Sequence, residues 1–131
     1  MTVRIVRLGS PRHPEEGLRI GTVRRPPRGV PKAEYATRDL YDVWLPNLAP
    51  SEALVKEAQA AAAAGDERSW KSFVRRYRAE MKTPENRALL ETLAALSKHA
   101  NFSVGCYCAE ETRCHRSVLR TLLEERGARL G

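Results

Sequence analysis

From Phe102 to Gly127 the chain reads FSVGCYCAEETRCHRSVLRTLLEERG, an apolar run that breaks into a polar loop and restarts with helical spacing. A strand that feeds a helix through a short loop narrows the possible folds sharply. The strand, apolar or small on both faces, belongs inside a sheet covered on both sides. The loop then lies where free backbone N–H groups and the positive end of a helix dipole meet whatever binds there. All three cysteines (Cys106, Cys108, Cys114) and His115 fall in this one segment.

The rest of the chain fits the same class. Val3 to Leu8 and Leu18 to Val23 are short and β-branched and read as strands. RRPPRGVPK, from Arg24 to Lys32, excludes a helix and forms the most basic loop, while Leu40 to Leu45 reads as a short strand or an irregular lead-in. Three helices follow. Ser51 caps the first and Gly65 stops it; Asp66 caps the second; Thr83 with Pro84 opens the third, with Leu89, Leu93 and Leu96 turned inward. In the second, Trp70, Phe73, Val74, Tyr77 and Met81 make one apolar stripe and Lys71, Arg75, Arg78 and Lys82 a basic one. The closing helix turns Val118, Leu119, Leu122 and Leu123 inward. The order β, β, the Leu40–Leu45 stretch, α, α, α, β, α predicts an α/β fold: a single compact layered domain over residues 1–131, with a small mostly parallel sheet flanked by helices. Gly105 is expected to admit a helix closely.

At 131 residues, with 42% hydrophobic and 30% charged residues, such a domain holds a core without metal or disulfide, so no cofactor is expected. No apolar stretch approaches the ~20 residues of a membrane span, and MTVRIVRLGS lacks the apolar core of a signal peptide, which together predict a cytoplasmic protein without a membrane partner. In that compartment the three cysteines are thiols. A net charge of +7 favours anionic partners, either a small molecule or a nucleic acid.

Cys106 and Cys108 project to one face of a strand, and with Cys114 and His115 they number four metal ligands. Residues 114 and 115 at a helix start diverge by about 100°, so the expected reading is buried strand cysteines and no metal. Cys114, beside Arg113 and Arg116 at a helix N-terminus, is the candidate nucleophile; packing as a small apolar filler is its plainer role. His115 is either its proton carrier or a hydrogen-bonded structural histidine. Cys114 to Arg120 also has the Cys-x5-Arg spacing of phosphatase loops, but a helix already occupies that stretch, so the match is read as chance. Glu110 and Glu111 are read as solvated loop carboxylates.

The run EGLRIGTVRRPPRGVPK, the phrase DVWLPNLAPS, the helix WKSFVRRYRAEM and the ending CYCAEETRCHRSVLRTLL occur in that order, and together they resemble the YeaO-like proteins of the DUF488 family. The resemblance spans nearly the whole chain. It implies a compact cytoplasmic α/β domain and leaves the reaction open. Cys108, Glu110, Cys114, His115 and Arg116 match the family's Cys-x-Glu and Cys-His-Arg ending; where relatives carry Asp-Arg-Leu-Trp-Pro-Arg-Gly, this chain has Val23 to Gly29 and lacks the acidic residue and the tryptophan.

Three functions follow from these residues. In the first, Arg24, Arg28, Arg113 and Arg116 line one anion pocket at the carboxyl end of the cysteine strand, for a phosphate-bearing or nucleotide-like molecule, with thiol chemistry at Cys114 and His115. In the second, the domain is not an enzyme and holds nucleic acid on Lys71, Arg75, Arg78 and Lys82. In the third it is a thiol redox protein, with Cys108 as partner of Cys114.

Overall fold

A computed structural model describes residues 1–108 and 111–131. Strands β1 (Val3–Arg7), β2 (Leu18–Gly21), β3 (Val43–Trp44) and β4 (Phe102–Cys106) form one sheet in the order β1-β4-β2-β3, and every pairing is parallel. β4, last in the chain, lies between the two first strands, with Val104 level with Ile5 on one side and Ile20 on the other. All five of its residues are buried. This is the environment that an unbroken run of apolar and small residues requires.

One face of the sheet carries the helices. Ser51 accepts from the Leu54 N–H to start α1 (Glu52–Ala64), and Gly65, at φ 65°, ends it. Asp66 and Thr83 cap α2 (Glu67–Glu80) and α3 (Pro84–Leu96) in the same way. Phe73, Tyr77 and Met81 of the second helix and Val118, Leu119, Leu122 and Leu123 of α4 (His115–Glu125) close over Val3, Ile20, Phe102 and Val104. The expected inward stripe of α3 is displaced by one residue: Leu90, Leu93, Ala94 and, just past the helix, Ser97 are buried, and Leu96 is 41% exposed. Ser97 takes the innermost position of its turn because its hydroxyl donates to the Ala94 carbonyl at 2.6 Å, which removes the cost of burying it.

The opposite face is covered by coil. There Arg19, fully buried, forms a bidentate pair with Glu16 at 2.6 and 2.9 Å, and Ser103 donates to the same carboxylate at 2.7 Å. Arg19 also donates to the carbonyls of Ser10 and Asp39, which ties both crossing loops to the sheet. Two glycines permit the fit. A Cβ on Gly21 would lie 2.4 Å from the Tyr41 ring, and one on Gly105 would lie 2.4 Å from the Val6 carbonyl oxygen. Gly105 thus admits the neighbouring strand, not a helix. Of Leu40 to Leu45, only Val43 and Trp44 pair, as a two-residue edge. Among the described residues no helix is long and apolar enough to cross a membrane.

Candidate thiol site at the end of β4

β4 stops at Cys106, and the chain runs on through Tyr107 and Cys108 to a single 3-10 turn, Glu111–Arg113, before α4 begins at His115. Cys114 is the residue ahead of that helix, extended at φ −125° and ψ 151°, so it belongs to the loop and not to the first helical turn. This corrects the expected geometry. The 100° divergence of adjacent helical residues does not apply, and the Cys106, Cys114 and His115 ligand atoms lie within 4.8 Å of one another.

The three sulfurs differ in access. Cys106 and Cys114 are buried, 2% and 3% exposed, with Sγ atoms 2.7 Å apart, whereas Cys108 is exposed. A tetrahedral zinc, at about 2.3 Å from each thiolate, would hold two sulfurs about 3.8 Å apart. The pair stands about 1.1 Å closer together than such a site would hold it.

His115 Nε2 is 2.7 Å from the Thr22 carbonyl oxygen, which can only accept, so Nε2 carries the proton. Its Nδ1 lone pair then faces the Cys114 sulfur at 3.7 Å. The ring packs edge-on against Tyr77, and burial lowers its pKa to about 4, which keeps it neutral at pH 7. Arg116 is 4% exposed; its Nη2 donates to the Cys108 carbonyl at 2.6 Å, and its buried Nε has no partner among the described residues.

These contacts separate the thiols chemically. Hydrogen bonding from Cys106 and then Cys114, with the positive charge of Arg116, outweighs partial burial and holds the Cys108 pKa well below that of an ordinary thiol. For Cys106 the hydrogen bonds to Cys108 and Cys114, together with burial, push the pKa far up. At Cys114 the bond to Cys106 lowers the pKa, but the bond to Cys108 and burial prevail and bring it to about 11. The candidate nucleophile of the sequence is therefore a protonated, buried thiol. The lowered pKa falls instead on the exposed neighbour.

The four arginines expected in one pocket do not converge. Only Arg116 adjoins the cysteines. The turn after β2 does reach the same rim, where Tyr107 donates its hydroxyl to the Arg25 carbonyl at 3.1 Å and His115 bonds to Thr22. Its arginine side chains go elsewhere. Arg24 donates to the Ala49 and Pro50 carbonyls, each at 3.0 Å, and Arg28 is exposed. Arg113 pairs with Glu67 at 2.5 Å and lies over the Trp70 ring. Arg24 and Arg113 follow the carbonyls and the carboxylate that they meet, which charge counts do not show. Lys71 and Arg75 on α2 and Lys82 just past its end are exposed, and Arg78 is half-buried against Glu125. Glu111 pairs with Arg120 at 2.8 Å, and Glu110 lies outside the described residues. The sequence did not single out Thr22, whose carbonyl sets the His115 tautomer; a backbone acceptor leaves no residue-type signal.

The chain matches no curated protein and no solved structure. A family model described as "Active DUF488-N3 subclade" matches residues 3–127, from the first strand to the end of the last helix. That span takes in the whole sheet and all three cysteines, and the chain accordingly belongs to the DUF488 family.

Proposed function

We propose that this domain is a thiol-dependent enzyme in which the Cys108 thiolate attacks a small anionic substrate held where β4 gives way to α4. The observation that carries this reading is the pairing of an exposed sulfur at the carboxyl end of the central strand with a buried Arg116 whose Nε has no partner among the described residues. In open parallel sheets that edge is where ligands bind. A buried guanidinium with an unmatched N–H is costly unless an anion completes it. The nucleophile is Cys108, not Cys114: a thiol with a pKa near 11 inside the protein is protonated and out of reach, whereas the thiolate at Cys108 is poised at neutral pH.

Iodoacetamide labelling of the reduced protein across pH 5 to 9, read residue by residue by mass spectrometry, tests this directly. Cys108 is expected to label first and to keep its rate at the acid end, and phosphate or sulfate is expected to slow it. Equal labelling of all three cysteines, with a rate that rises only towards the ordinary thiol pKa near ~8.5, would refute the proposal.

A further inference from the structure

We infer that Cys106 and Cys114 make this site a two-electron reductase for a small anionic disulfide, the oxidising equivalent ending as a buried Cys106–Cys114 disulfide. The inference rests on the reading of Cys108 as nucleophile and adds the substrate class and two further catalytic residues. Attack at phosphorus or at a carbonyl needs one thiolate. Two more thiols packed against it, one with a base at its side, have no task in such chemistry, but they are what the second half of a thiol–disulfide exchange requires.

The geometry supplies each step. Cys108 thiolate attacks one sulfur of R–S–S–R′; the new S–S bond forms as the old one breaks and R′S⁻ leaves. Cys114 then gives its proton to His115 Nδ1, 3.7 Å from its sulfur, and attacks Cys108 Sγ, so that RS⁻ leaves and takes up the proton. Last, Cys106 passes its proton to the His115 ring, whose ligand nitrogen lies within 4.8 Å of its sulfur, and from there to the R′S⁻ released first; it attacks Cys114 Sγ, from which it starts only 2.7 Å away, and the Cys108 thiolate is expelled. A disulfide is about 2.05 Å long, so closure asks for a shift of about 0.7 Å. The better leaving thiol departs at this last step, because the more acidic sulfur leaves faster. In sum R–S–S–R′ and two protein thiols become RSH, R′SH and one protein disulfide, and a thiol reductant restores the start. Arg116 and the net charge of +7 favour an anionic R group.

A single turnover of the reduced full-length chain with one equivalent of dithiobis(nitrobenzoate), an aromatic disulfide bearing two carboxylates, reads every step. The expected result is release of two thionitrobenzoates per chain, with peptide mapping that finds Cys106 linked to Cys114 and Cys108 free. Cys114→Ser should halt at one release with the label on Cys108. Cys106→Ser should give both releases but leave Cys108 linked to Cys114; circular dichroism confirms that each variant is folded, and the wild-type map decides the matter if one is not. Rapid labelling of Cys108 that persists as the mixed disulfide in the wild type overturns this inference and spares the nucleophile. No preference for Cys108 overturns both. Stoichiometric zinc on the reduced protein, released as the thiols oxidise, likewise overturns the dithiol assignment.

Discussion

Two buried arginines, 0% and 4% exposed, sit in opposite chemical situations. Arg19, under the coil-covered face, gives its donors to Glu16 in bidentate fashion and to two loop carbonyls, and Ser103 completes the carboxylate. Arg116, under the cysteine loop, meets one carbonyl through Nη2 and nothing described through Nε. A buried ion whose every group is matched is a brace, and one left short of partners marks a place where something else binds. The contrast separates structure from function more sharply than residue type, since both are arginines on or beside the central sheet.

The largest expected effect strikes the brace. Glu16→Gln leaves Arg19 charged, buried and unpaired, a change that costs about 3 to 5 kcal/mol when one partner of a buried pair is lost. Arg116→Met, in contrast, removes a charge with no carboxylate partner among the described residues and replaces it by an apolar chain, so stability should stay within about 1 kcal/mol while Cys108 labelling at acid pH slows. Urea denaturation of both variants measures the difference. Equal losses would erase the distinction between brace and site.

Much of this architecture was legible because it depends on periodicity and punctuation. The caps at Ser51, Asp66 and Thr83, the Gly65 stop, the α2 stripe and the buried β4 are all statements about spacing, and spacing survives in a sequence. The site was half legible. Clustered cysteines beside His115 and Arg116 located it, but the identity of the reactive sulfur turns on whether residue 114 lies just inside or just outside the helix, a difference of one position. The Glu16–Arg19 pair gave no signal, since charged residues three apart are usually solvated. The outward course of Arg24 and Arg113 depends on where other segments leave carbonyls and carboxylates, which is tertiary information.

The same two regions should separate on a pH axis. His115 is held neutral in the fold, with a pKa near 4 against about 6.5 in the unfolded chain. Between those values the unfolded state binds the extra proton, so stability falls as pH drops from 6.5 to 4, by up to about 3 kcal/mol. Glu16 acts lower. Burial alone would raise its pKa, but Arg19 and Ser103 bring it down to about 2, so its contribution is intact above the unfolded value near 4.3 and is lost as pH falls towards 2. Denaturant midpoints from pH 8 to 3 should therefore show two successive declines. His115→Gln should remove the upper one and leave the lower, and an unchanged profile in that variant would mean that the imidazole is not held neutral beside Cys114.

The smallest effect tests the contrast from outside. Arg78 reaches Glu125 at 2.8 and 3.0 Å and so links α2 to α4, an arrangement that on distances alone looks as good as Arg19 with Glu16. Both partners are open to solvent, at 34% and 47% side-chain exposure, against 0% and 2% for the buried pair. Water already solvates each exposed charge, and ordering two long side chains consumes most of the Coulomb gain, so such pairs contribute about 0.2 to 1 kcal/mol. Glu125→Gln should consequently shift the urea midpoint barely, and what shift there is should vanish in 0.5 M salt, whereas the Glu16→Gln loss should persist there because a sealed pair is beyond the reach of counterions. A Glu125→Gln loss as large and as salt-resistant as that of Glu16→Gln would show that geometry, not burial, sets the worth of these pairs, and the criterion that separates Arg19 from Arg116 would fail with it.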